Sequence, residues 1–167
     1  MMSKHTLALL QQIAHGIAVH FGNNCEVLVH DLTADYTGSS IVIIEHGNVT
    51  MRKIGDGPSH VVLEALHSDH KTLEDKLSYL TKTKDGRILK SSTMFIRGED
   101  NSIEAVLSIN FDITSMQMAE SALQQLISPI SAKNEPENIP QNVNDLLDEL
   151  IEQSVRIVGK PVALMNK

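Results

Sequence analysis

The stretch Lys76 to Asp112, KLSYLTKTKDGRILKSSTMFIRGEDNSIEAVLSINFD, leaves this chain the fewest choices. Apolar residues alternate with polar ones in segments of strand length, and glycine-containing turn signals separate the segments. Residues 76–84 and 87–97 flank Asp85-Gly86, which predicts a hairpin with a type I′ turn. Gly98-Glu99-Asp100-Asn101 marks a second turn before the strand 102–113. Consecutive strands joined this tightly must pair antiparallel, so this part of the chain is a meander.

Pleat alternation divides the side chains. In the last strand Ile103, Ala105, Leu107, Ile109 and Phe111 share one face, and Val106, Ser108, Asn110 and Asp112 the other. In the strand before it, Lys90, Ser92, Met94 and Ile96 share one face. Leu89, Ser91, Thr93, Phe95 and Arg97 share the opposite one. A face that mixes Leu and Phe with two hydroxyls suits a small-ligand pocket, which has apolar walls and a few oriented polar groups. The plainer reading is that Ser91 and Thr93 bond across strands to their neighbours.

Upstream, Leu7, Leu10, Ile13, Ala14, Ile17, Ala18 and Phe21 recur at three and four, predicting an amphipathic helix over residues 3–21 that Gly22-Asn23-Asn24 ends. CEVLVHDL (25–32) and SIVIIEHG (40–47) read as strands, the second apolar enough to be central and covered on both faces. Gly47-Asn48 is a turn. Gly55 and Gly57 with Pro58 mark another, since no phosphate-loop residues follow them. SHVVLEALHSDHK (59–71) predicts a short helix. Thr114 with Gln117 suggests a capping box opening a helix with the stripe Met116, Ala119, Leu123, Leu126 and Ile127. PISAKNEPENIPQN (129–142) holds three of the five prolines and reads as a linker. A last amphipathic helix follows, with Asn142 as N-cap and Val143, Leu146, Leu147, Leu150, Ile151, Val155 and Val158 on one side. Its stripe covers about two heptads, too short for an independent coiled coil.

The expected fold is therefore α+β. A five-stranded antiparallel sheet carries short helices on one face, with amphipathic helices at the N- and C-terminal ends. The expected division is a sensor-like domain at 1–128, the linker 129–142 and a connector helix within 143–167.

The 167 residues carry 14 Lys+Arg against 21 Asp+Glu, a net charge of −7, and aromatics are 3%. That balance lacks the electrostatic attraction to phosphate on which nucleic-acid binding rests, and stacking platforms are missing. Cys25 is the only cysteine, which fits a reducing cytoplasm. No apolar run approaches a membrane span.

Three constellations invite chemistry. His60, Glu64 and His67 fall on one helical face and could hold a metal, but a solvated polar face explains them without one. His30-Asp31 lacks a nucleophile and an oxyanion site, and adjacent strand residues point apart. A polar pocket contact for one of them and a loop-capping role for the other are expected. No nucleophile–base–orienter set is visible, so an enzyme is not expected.

The segments FGNNCEVLVHDL, GNVTMRKIGDGP, TKDGRILKSSTMFIR and SINFDIT together resemble the PAS-type domain of YheO-like transcriptional regulators. The resemblance covers residues 5–115, and the linker-plus-helix tail is similar too. It implies the PAS-like fold and the sensory, dimerising half of a cytoplasmic bacterial regulator. DNA binding would belong to a C-terminal helix-turn-helix domain, which would begin about where this chain stops. A small metabolite would bind between sheet and helices, with Ser91, Thr93, Asn110, His30 and Phe95 as the ligand-binding candidates. No cofactor is implied. The competing expectation is a ligand-free structural dimerisation module.

Overall fold

The computed structural model of the protein describes residues 2–33, 39–67, 73–128 and 139–159, apart from the side chains of residues 64–67 and 158. Two compact units divide the chain, residues 1–125 and 126–167.

The first unit is built on a sheet of β1 (Cys25–Asp31), β2 (Ile41–Glu45), β3 (Lys76–Lys82), β4 (Ile88–Arg97) and β5 (Ile103–Asp112). The strand order is β2-β1-β5-β4-β3, and every neighbouring pair is antiparallel. The last strand of the meander thus slots beside the first strand of the chain and occupies the centre. The chain crosses from the β2 edge to the β3 edge by way of α2 (His60–His67).

Helix α1 (Lys4–Phe21) covers one face. The Ser3 side chain accepts from the Thr6 amide and starts the helix, and Gly22, at φ 77°, ends it. Leu10, Ala14 and Ala18 are its buried residues, in one cluster with Cys25, Val27, Val29, Ile43, Ala105 and Leu107. Two alanines on the contact line let the helix backbone sit close to the sheet. Of the expected stripe, Ile13 and Phe21 remain exposed, because the buried line is narrower than the apolar one.

The opposite face carries α2 and a smaller cluster of Leu32, Val62, Ile103 and Val106, with Leu73 and Phe95 packed against it. Ile103 thereby leaves the face expected for it. The register shifts between Ile96 and Arg97, so Ile96 pairs with Ala105 but Arg97 with Ile103, and the extra residue turns Ile103 over.

Three more expectations need correction. The apolar run 40–47 is an edge strand, not a central one. Its outer edge is covered by the returning chain instead: Gly55 N–H donates to Ile41 O (3.0 Å) and Ile41 N–H to Asp56 O (3.2 Å). The hairpin at Asp85-Gly86 is not type I′. Only Gly86 has a positive φ (95°), and Thr83 and Arg87 close a three-residue loop around Lys84, Asp85 and Gly86. The Thr114 hydroxyl forms no capping box. It donates to Asp112 Oδ1 (2.6 Å) and accepts from the Ile88 amide, pinning the start of α3 (Thr114–Ile127) to the sheet. None of the α3 residues is buried, so its apolar stripe faces solvent.

In the second unit α4 (Val143–Val158) is capped as expected: Asn142 Oδ1 accepts from the amides of Asn144 and Asp145. Residues 129–138 of the expected linker lie outside the described residues.

Candidate functional site

The α2 face of the sheet bears a polar row that runs across its strands. On β1, Glu26 and His30 are wholly buried. Register brings Glu26 opposite Asn110 on β5, and Asn110 opposite Ser91 on β4. Ser91 stands in turn opposite Tyr79 on β3.

These groups bond in sequence. Asn110 Nδ2 donates to Glu26 Oε1 (2.9 Å), and the Ser91 hydroxyl donates to Asn110 Oδ1 (2.8 Å). Ser91 also pairs with the Thr81 hydroxyl (2.7 Å). Beside this chain the Tyr79 and Thr93 hydroxyls meet at 2.9 Å. At the other end, Glu26 Oε2 accepts from the Thr50 hydroxyl (2.7 Å) and the Thr50 amide (3.2 Å). Buried polar groups are tolerated when partnered in this way.

Burial still dominates at Glu26. It raises the carboxyl's pKa against the lowering effect of Thr50, Asn110 and the nearby charge of Arg52. Burial, with the Arg52 charge adding to it, lowers the His30 pKa to about 4. His30 Nδ1 bonds the Ser40 hydroxyl (2.8 Å), while Nε2 is buried without a hydrogen-bond partner among the described residues. At neutral pH His30 is therefore an uncharged imidazole.

Above the row lies a cavity of about 750 Å³, within the range of small-molecule sites. Leu28, Leu89, Met51 and Val61 supply apolar wall; Thr81, Thr93, Tyr79, Ser108 and Asn110 supply polar groups. The loop at Thr50–Arg52 and the β3–β4 hairpin both contribute to the wall. Arg87 links the two, reaching Asn48 O at 3.4 Å from the hairpin side while pairing with Asp85 (2.9 Å).

The five expected ligand residues are thus separated. Thr93 and Asn110 line the cavity. Ser91 bonds to two of its lining residues, Thr81 and Asn110, from a buried position. His30 is buried in β1 and absent from the wall. Phe95 belongs to the apolar cluster with Val62 and Val106, away from the cavity, because it sits further along β4. Ser92, on the other face, accepts from the Ser78 amide where β3 bulges. Asp31 accepts from the amide and hydroxyl of Thr33, so of the pair His30-Asp31 it is the one that caps the loop. The Glu64 and His67 side chains lie outside the described residues. Glu26, Thr50 and Arg52 were not among the candidates. Alternation within CEVLVHD already places Glu26 on the face of His30, whereas nothing local places Arg52.

The model of the YheO-like PAS domain matches residues 1–128. The chain belongs to that family. Similar proteins include YheO of Escherichia coli K12, 26% identical over 156 residues, which cover 89% of this chain and 61% of YheO. The transcriptional regulator DauR of Pseudomonas aeruginosa is 28% identical over 130 residues, covering 75% of this chain and 56% of DauR. This YheO-like PAS domain therefore spans about three-fifths of the length of such relatives. Among solved structures, the PAS domain of the fruit-fly ELK potassium channel aligns at a TM-score of 0.37 and 18% identity, covering 60% of this chain and 96% of that one. A sensory box histidine kinase/response regulator from Burkholderia thailandensis aligns at 0.41 and 16%, covering 67% and 93%. No helix among the described residues is long and apolar enough to cross a membrane.

Proposed function

We infer that this chain is the sensory and dimerisation domain of a bacterial DNA-binding transcriptional regulator, and that a small metabolite occupies the cavity between the sheet and the 50–61 segment. The protein works in the cytoplasm and catalyses no reaction. The observation that carries the reading is the cavity itself: apolar wall, several hydroxyls and a buried hydrogen-bonded row that holds those hydroxyls in place. Family membership and the likeness to the regulator DauR support the regulatory half of it. A helix-turn-helix domain C-terminal to this chain makes the DNA contact, consistent with the −7 charge of these residues.

The exposed apolar residues of α1 (Leu9, Ile13, Val19, Phe21) and of α3 (Met116, Met118, Leu123) offer surface for a second copy. Metabolite binding changes the balance between two arrangements of that dimer. Thermal denaturation against a metabolite library tests the sensor reading, because a compound that binds the folded state raises the midpoint by mass action. If no compound raises it, and native mass spectrometry finds nothing bound, the domain is a ligand-free dimerisation module. Sedimentation velocity tests the dimer: a monomer at all concentrations removes it from either reading.

A further inference from the structure

We propose that the cavity selects a small organic anion, and that the Arg52 guanidinium is the group that receives its carboxylate or phosphate. This assignment rests on the sensor reading above and names the chemistry of the site.

Arg52 sits on a loop that is fixed from several sides. His46 Nδ1 bonds Cys25 O (3.0 Å), and Val49 is buried. Thr50 is clamped on Glu26. The Arg52 amide donates to Gly47 O (3.0 Å), and Arg87 reaches Asn48 O. Gly47 is required there, since a Cβ at that position would lie 2.4 Å from Arg52 O. Met51, beside Arg52, is held at φ 62°, a left-handed conformation uncommon for such a residue. Yet the guanidinium that this loop delivers to the cavity wall has no hydrogen bond or ion pair among the described residues. A half-buried arginine carried on an over-determined backbone and left unpaired is a receptor waiting for an oxyanion.

The rest of the wall has the same sign. Lys82, Lys84 and Arg87 also border the cavity, against the carboxylate of Asp85, which Arg87 already pairs. Glu26 lies behind the wall, wholly buried, with its oxygens bonded by Thr50 and Asn110; Arg52 feels its charge through space but makes no hydrogen bond or ion pair with it among the described residues. Helix α2 begins at the cavity, where Ser59, His60 and Val61 line it, and its first turn holds no acidic residue. The positive end of that helix therefore adds to the field. All this occurs in a chain whose net charge is −7. A cationic amine would meet Arg52, Lys82, Lys84 and Arg87 against the single lining carboxylate of Asp85 among the described residues. An anion would meet a fork of donors, with Thr93, Tyr79 and Ser108 hydroxyls for its remaining polar atoms.

The test is calorimetric titration of the full chain at low ionic strength. The anionic probes are succinate, malate, citrate, pyruvate, inorganic phosphate and glycerol 3-phosphate. Succinamide and glycerol serve as uncharged counterparts and putrescine as the cation. At least one anion binds, its uncharged counterpart binds at least tenfold more weakly, and putrescine does not bind. The carboxylates and phosphates form separate arms that tell which oxyanion the site prefers. Arg52→Gln weakens the binding anion about tenfold to hundredfold, and Arg52→Lys, which keeps charge but loses the fork, falls between. Lys90→Gln, on the opposite sheet face, leaves it unchanged. A melting midpoint for Arg52→Gln without ligand equal to that of the parent shows that the fold is intact. Equal binding of the uncharged counterpart, or an unchanged affinity in Arg52→Gln, overturns the anion assignment and leaves the sensor reading standing. If nothing in the anionic, neutral and cationic sets binds, both are overturned.

Discussion

His30 gives this domain a stability that depends on pH, and its size follows from the structure. The imidazole is wholly buried, and its pKa falls from 6.5 to about 4, first through burial and then through the charge of Arg52. Between those pH values the unfolded chain binds the proton and the folded chain does not. Stability from this residue therefore rises with pH, is fully present above 6.5 and is lost as the pH falls towards 4. Each pH unit in that window is worth about 1.4 kcal/mol, so the loss amounts to about 3 kcal/mol. Glu26 pulls the other way. Its pKa is raised, so its contribution declines as pH climbs above 4.5. The two are separated by comparison with His30→Gln, which cannot titrate and keeps an amide for Ser40. Urea denaturation of both proteins at intervals from pH 4 to 7.5 gives the difference in unfolding free energy. That difference should change by about 3 kcal/mol in favour of the parent as pH rises through the window. Titrations shared by both proteins cancel. A flat difference would refute the argument, because it would mean that His30 protonates equally well in the folded and unfolded chain.

Three further outcomes follow from the packing. Asn110→Ala strips partners from both Glu26 and Ser91; a loss of about 2–4 kcal/mol in urea denaturation is expected, since a buried carboxylate is among the groups left short. Gly47→Ala forces the new methyl against the backbone of Arg52, which should cost about 1–3 kcal/mol and weaken anion binding, read by melting and calorimetry. Ala14→Leu overfills the contact of α1 with Val27 and Val29 and should cost about 1–3 kcal/mol, whereas Val19→Ala, on the exposed side, should stay within about 0.5 kcal/mol.

The sheet was legible because pleat alternation is a property of one strand at a time. Ser91, Thr93 and Asn110 fall on the face assigned to them, and the division of the three consecutive hydroxyls at 91–93 holds. Turn residues placed the strand ends for the same local reason. What failed depends on partners elsewhere in the chain. SIVIIEHG is apolar, but its position in the sheet is decided by β5 taking the place beside β1. Ile103 changes face through a register shift that needs both strands to define it. The stripe on α3 is real in sequence and unburied in this chain, since periodicity says which side is apolar and not what covers it.

Arg52 shows why the site was harder to read than the fold. In VTMRKIG it is one of two adjacent basic residues, with no spacing that marks it out from Lys53. Its importance arises from the return of the 46–52 loop onto β1, which needs Glu26 to be buried, Thr50 to bond it and Gly47 to admit the Arg52 carbonyl. Each of these is a long-range or steric condition. Glu26 was the available clue: a carboxylate inside CEVLVHD, sharing a face with His30, must find donors or be protonated. Following that requirement outward, to Asn110 across the sheet and to Thr50 in the loop, reaches the arginine two residues on. In this protein the buried acid locates the loop, and the loop presents the cation.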